Sequence, residues 1–230
     1  MDAADEDDRS AYISRLLELR LSRPELRLLQ RTMTTLASRS ENAPSAVKRK
    51  LDRAVLRLVR MLPSRLATPF AEPYIGHRRK TRREWAYSAL RTKWIPRSMA
   101  IELVSIFRRT GDQEALELIA RNPKRVPEVD PEFLLANIKE RYWRGRVIEA
   151  LLVHKRSVAL ALAVRYPFEF AHAVGRTADI TLRDPLRDLF RTNFGDLEFL
   201  SIYAYALGKI GAREELQSLK TSIPQALDET

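Results

Sequence analysis

Apolar residues recur every three or four positions along almost the whole of this chain, and no stretch alternates apolar with polar residues between turn signals, as a strand would. That single periodicity excludes sheet-based folds and leaves helix packed on helix. Glycine is scarce, at 7 of 230 residues. Residues 44–62 show the pattern best: Val47, Leu51, Ala54, Val55, Leu58, Val59 and Leu62 fall on one stripe. Arg49, Arg53, Arg57 and Arg60 fall on nearly the opposite face. Such a helix buries one side and offers a ridge of positive charge on the other.

Two further helices are expected before it, at 10–21 and 24–39. The second opens on Ser22-Arg-Pro-Glu25, a capping-box pattern with proline near the first turn, and its buried row would be Leu26, Leu29, Met33 and Leu36. Residues 63–78 contain Pro63, Pro69, Pro73 and Gly76 and read as a turn-rich connection. The chain is therefore expected to comprise a disordered acidic leader (1–9), a basic three-helix part (10–62), that connection, a helical region (79–222) and a flexible tail (223–230). Within 79–222 short helices are predicted at 81–92, 97–109, 112–122, 131–141, 144–154, 157–166, 168–177, 185–193, 197–209 and 212–221. Asp130-Pro131 and Asp184-Pro185 look like an N-cap followed by proline at the first helical position. Helices this short cannot bury a core alone, so they must stack on their neighbours.

Phe107-Arg-Arg-Thr-Gly-Asp-Gln-Glu-Ala-Leu and Leu207-Gly-Lys-Ile-Gly-Ala-Arg-Glu-Glu-Leu share an apolar residue, glycine, glutamate and leucine at matched positions. Leu151 to Pro167 follows the first of them more weakly. Ala206-Leu207-Gly208-Lys209-Ile210-Gly211 resembles the helix-end signature of HEAT-like repeats, over the last forty or so residues. That resemblance implies an α-solenoid, most often a scaffold for protein partners and sometimes a cradle for nucleic acid. The motif is one of packing and carries no catalytic residue.

The charge is uneven. Residues 1–8 hold five acids and no base; residues 9–111 hold 24 Lys or Arg against 7 Asp or Glu, a net +17; residues 112–230 hold 17 against 18. The basic half should attract polyanions with an affinity that falls as salt rises, and the leader could fold back on it and compete. Arginine supplies 32 of the 41 bases, which genome composition as well as selection for the guanidinium can produce. Cysteine is absent, which excludes disulfides, thiolate metal sites and cysteine nucleophiles. His77, His154 and His172 show no metal-ligand spacing, phosphate-cradling glycine loops are missing, and no serine sits in an activating motif. No catalytic residue, metal or cofactor is expected. Gly208-Lys-Ile-Gly211 has the spacing of a KH clamp but lacks the sheet that fold requires. No membrane span or signal peptide is expected either, which points to the cytoplasm, or to the nucleus given the basic run at 78–83.

Two clusters remain. His77-Arg-Arg-Lys-Thr-Arg-Arg-Glu-Trp85 gathers Arg78, Arg79, Lys80, Arg82 and Arg83 at a predicted helix start, where the macrodipole disfavours cations. A neutralising partner would explain them, as would pairing of Arg82 or Arg83 with an acid of a neighbouring helix. Arg141, Arg144 and Arg146 interleave with Tyr142 and Trp143, a combination suited to stacking on bases. The expected function is binding without catalysis: a scaffold or complex subunit docking an anionic partner, with DNA or RNA backbone binding as the alternative. An enzyme of the HEAT-like alkylpurine DNA glycosylase kind would place an acid among Trp85, Trp94, Tyr142 and Trp143, and no pattern singles that acid out.

Overall fold

In the computed structural model, residues 22–60, 62–91, 94–193 and 196–228 are described. The predicted leader at 1–9 and the helix at 10–21 lie outside them. Every regular element among the described residues is helical, so the chain is all-α. It divides into two compact units, Met1–Leu118 and Ile119–Thr230.

The first unit holds α1 (Arg23–Asn42), α2 (Ser45–Arg60), α3 (Ser64–Ile75), α4 (Lys80–Leu90), α5 (Arg97–Thr110) and most of α6 (Gln113–Ala120). Ser22 donates its hydroxyl and its backbone N–H to Glu25 Oε2, at 2.7 and 2.6 Å, closing the first turn of α1; the hydroxyl foremost, then the N–H, holds that carboxyl below its usual range. Leu26 and Met33 of the expected row are buried, joined by Ala37 and Ser40, while Leu29 and Leu36 are half-buried. On α2 the core residues are Val55 and Val59, continued by Leu62. Val47, near the helix start, is half exposed. Helix α1 packs on α2, α2 on α4, and α3 on both α4 and α5.

The stretch expected as a turn-rich connection is mostly helix. Pro69 and Pro73 sit inside α3, although an interior proline removes a helix hydrogen bond and clashes with the carbonyl four residues earlier. Their spacing of four puts both on the exposed face, where water can take the freed carbonyls. Ala67, Phe70, Ala71 and Ile75 bury the opposite face. The division between compact units accordingly falls within α6, not at 63–78.

The second unit begins at the end of α6 and holds α7 (Pro131–Asn137), α8 (Arg141–His154), α9 (Arg156–Ala163), α10 (Pro167–Thr177), α11 (Arg183–Asn193), α12 (Leu197–Ile210) and α13 (Arg213–Asp228), with 3₁₀ turns at Val126–Glu128 and Ile180–Leu182. Asp130 caps α7 by accepting from the N–H groups of Glu132 and Phe133, at 3.0 and 3.2 Å. Asp184 caps nothing: the 3₁₀ turn, itself closed by Asp179 accepting from Thr181 N–H, runs straight into Arg183, so α11 starts two residues earlier than predicted. Pro185 is still in the first turn, where its missing N–H costs no helix bond. Helix α13 extends to Asp228, past the expected start of a tail at 223.

Helices α8, α10 and α12 form a row, α10 touching both of the others. Helix α9 contacts α8 and α10, and α11 contacts α10 and α12, so each connecting helix bridges successive members of the row. The matched glycines of the sequence repeat do the same job in each unit: Gly111 ends α5 and Gly211 ends α12 with φ of 69° and 75°. Each donates its N–H to the carbonyl four residues back, Phe107 or Leu207. A side chain at either position would strain that left-handed cap.

Candidate anion-binding surfaces

Among the residues predicted to bind an anion, three arginines of the α2 ridge are left to solvent, as are Arg78, Arg79 and Lys80. Arg49, Arg53 and Arg57 are exposed, and among the described residues none has a carboxylate partner. Arg60 is half-buried and engaged elsewhere. Spacings of four keep the three guanidinium groups on one face, which Val55 and Val59 fix outward by burying the other.

The 78–83 cluster divides. Arg78, Arg79 and Lys80 are exposed at the start of α4, and Arg78 and Arg79 line an open cleft of about 540 Å³ together with His77 and Glu41. Arg82 and Arg83 are withdrawn from solvent. Arg82 is 1% exposed, lies 3.8 Å over the Trp85 ring, donates to Ser40 Oγ at 3.2 Å and faces Asp52 of α2 at 3.5 Å. Ser40 in turn hydrogen-bonds Asp52. Arg83 Nε meets Asp112 Oδ2 at 3.0 Å, while its Nη1 donates to the carbonyls of His77 and Arg78. Tyr87 donates its hydroxyl to the same Asp112 oxygen at 3.1 Å; burial foremost, then that carboxylate, pushes the phenol well above its usual range. Both arginines therefore fasten α4 to its neighbours. The reason is helical spacing: positions 82 and 83 are carried inward beside Trp85 and Ala86, and a buried guanidinium needs an acid.

The third cluster is also tied down. Arg144 Nε pairs with Glu169 Oε1 at 2.7 Å, Glu169 being 4% exposed, and its Nη1 reaches the carbonyls of Ile138 and Lys139. Arg141 pairs with Glu198 and lies 4.6 Å over Phe168; Arg146 holds both oxygens of Glu149 at 2.8 Å. Trp143 is buried beneath Arg121, which lies 4.2 Å over its ring, so it offers no face for stacking. Tyr142 remains 49% exposed. Trp85 is buried in the first unit and Trp94 is 57% exposed there, so the four aromatics named in sequence do not gather in one unit.

One arrangement was missed in the sequence although its letters are there. Tyr142-Trp-Arg-Gly-Arg146, His172-Ala-Val-Gly-Arg176 and Tyr205-Ala-Leu-Gly-Lys209 repeat a ring, two residues, a glycine and a base, once on each of α8, α10 and α12. In each pair of neighbours the later ring covers the earlier glycine. A Cβ on Gly145 would stand 3.5 Å from His172 Nδ1, and one on Gly175 would stand 2.4 Å from Tyr205 Cε1. The rings of His172 and Tyr205 are near-parallel with centroids 6.1 Å apart. Arg176 lies 5.8 Å over Tyr142, and Lys209 lies 5.7 Å over Tyr205. Arg176 also shares Glu149 with Arg146, at 2.7 Å. Repeat spacings of 30 and 33 residues were the available signal; a comparison anchored on the helix-end glycines at 111 and 211 passes over it.

Among the described residues no group of acids and histidines is placed to hold a metal, and no helix is long and apolar enough to cross a membrane. Compared with family models, curated proteins and solved structures, the chain finds no match in any of the three.

Proposed function

We propose that the chain is a non-catalytic helical binding module, a scaffold or complex subunit that docks an acidic protein partner along the α2 ridge. The observation that supports this is the unequal fate of its arginines. Arg82, Arg83 and Arg144 are spent on internal ion pairs, whereas Arg49, Arg53 and Arg57 stand exposed in a line without a carboxylate among the described residues. Three like charges one turn apart repel one another by a few tenths of a kcal/mol per pair, a cost that an anionic partner removes. The row of α8, α10 and α12 with its bridging helices supports placing the second unit among HEAT-like stacks, whose use as scaffolds agrees with this reading.

The test is a titration of labelled polyglutamate into the protein at several salt concentrations, repeated with Arg49→Glu/Arg53→Glu/Arg57→Glu. Wild type should bind with an affinity that falls steeply with salt, and the triple variant should not bind. Binding that survives the triple change would remove the ridge from the account. Binding of duplex DNA in place of polyglutamate, with a slope of about −0.9 per phosphate contacted, would turn it into a nucleic-acid backbone surface.

A further inference from the structure

The ring–glycine–base ladder of the second unit accounts for its own packing and leaves something over. Covering Gly145 and Gly175 requires the rings of His172 and Tyr205, yet Tyr205 remains 40% exposed after doing so, and Tyr142, which covers neither of those glycines, is 49% exposed. The bases add to this. Ring and base are four residues apart in each motif and so share a helix face. The contacts from Lys209 to Tyr205 to His172, and from Arg176 to Tyr142, place all three motifs on one continuous surface across α8, α10 and α12. Arg146, Arg176 and Lys209 bring three positive charges to it against Glu149 alone within the ladder. Glu169 and Glu198 are taken by Arg144 and Arg141. Lys209 is exposed, and among the described residues it has no carboxylate partner. Burial, and next Arg176, hold the His172 imidazole below its usual pKa, so at neutral pH it is an uncharged ring.

We infer that this surface binds single-stranded nucleic acid, Tyr142 and Tyr205 stacking on unpaired bases while Arg176 and Lys209 meet the phosphates. The chemistry selects that ligand: the surface offers aromatic faces and cations together, repeating at about the 8–10 Å spacing between packed helix axes, with Tyr142 and Tyr205 two spacings apart. A duplex presents phosphates but keeps its base faces stacked inside. An acidic peptide satisfies the cations and leaves the tyrosines without planar partners. Stacking on tyrosine tolerates any base, so no sequence preference is expected. The inference concerns the second unit alone and does not depend on the α2 ridge.

The test is fluorescence anisotropy of a labelled oligothymidylate, with tyrosine emission recorded in parallel, since a base stacked on Tyr142 or Tyr205 quenches it. Wild type should bind with quenching. Tyr142→Ala and Tyr205→Ala should each weaken binding roughly 5- to 150-fold, the range of one lost base–ring stack. Tyr205→Phe, which keeps both the ring over Gly175 and the stack, should bind as wild type. Lys209→Gln should lower the salt slope by about 0.7, the value for one phosphate of a single strand. If Tyr205→Ala proves unfolded by circular dichroism, Tyr142→Ala and Lys209→Gln carry the decision, since both side chains are exposed. No strand binding by wild type, tighter binding of duplex than of strand, or Tyr142→Ala and Tyr205→Ala variants that bind as wild type would each overturn the inference. Strand binding lost in the Arg49/Arg53/Arg57 variant yet untouched by the tyrosine changes would overturn it while locating the nucleic acid on α2. A failure of polyglutamate to bind leaves it unaffected.

Discussion

Gly175 is where the second unit is least able to accept another atom. A methyl group there would sit 2.4 and 2.7 Å from two carbons of the Tyr205 ring and 3.3 Å from the Ala206 backbone, so α12 would have to move. Overpacking of this kind costs about 1–3 kcal/mol, and Gly175→Ala should lower the urea midpoint accordingly. The same change at Gly145, where the nearest atom is at 3.5 Å, or at Gly208, where nothing lies within 4 Å, should raise it, because alanine in a helix is favoured over glycine by roughly 0.5–1 kcal/mol. Equal effects at all three positions would contradict the packing described. His172, beside Gly145, gives the unit a pH dependence. Its folded pKa is depressed below 6.5, so as pH falls the unfolded chain takes up the proton first. Stability is therefore full above pH 6.5 and is lost as pH drops through that value towards the folded pKa. Thermal melts between pH 5 and 8 should show a loss that His172→Gln removes.

Helix α4 is tied to two acids of the first unit, Asp52 and Asp112. Asp112 accepts from both Arg83 and Tyr87, and the side chains of Arg83 and Asp112 are each more than nine-tenths buried. Removing it leaves a buried guanidinium unpaired, at about 3–5 kcal/mol, so Asp112→Ala should unfold the first unit at markedly lower urea. By contrast, Asp179→Ala, which breaks an exposed pair with Arg156, a hydrogen bond from the Thr181 hydroxyl and a 3₁₀ cap, should cost about 1 kcal/mol. Elements of this kind were legible in sequence to different degrees. The ten short helices from 80 onward announce themselves by apolar periodicity and by residues such as Asp130 and Gly211 that can do little but start or stop a helix. Helix α3 does not, because proline reads as a breaker wherever it stands; that Pro69 and Pro73 both face solvent is settled only when Phe70 and Ile75 find a core. For Arg82 and Arg83 the sequence left both a neutralising partner and an acid of a neighbouring helix open, for the complementary reason. Their acids, Asp52 and Asp112, lie 30 and 29 positions away, and the chain gives no local sign of either pairing.

Over the molecule as a whole, net charge foretold a basic half but not which bases remain available. Folding consumes some of them, and Arg49, Arg53 and Arg57 are exposed because their helix turns its valines inward. Punctuation by proline suggested a boundary at 63–78, whereas the compact units part near the end of α6, between Leu118 and Ile119, in an apolar helix that carries no breaker. The proposed function requires the α2 ridge to be a docking surface and not merely solvated charge. Hydrogen–deuterium exchange with and without polyglutamate at low salt examines that directly. Protection concentrated over Ser45–Arg60 and absent in the Arg49→Glu/Arg53→Glu/Arg57→Glu variant is the predicted result; protection confined to other helices, or none at concentrations where polyglutamate binds, would contradict it.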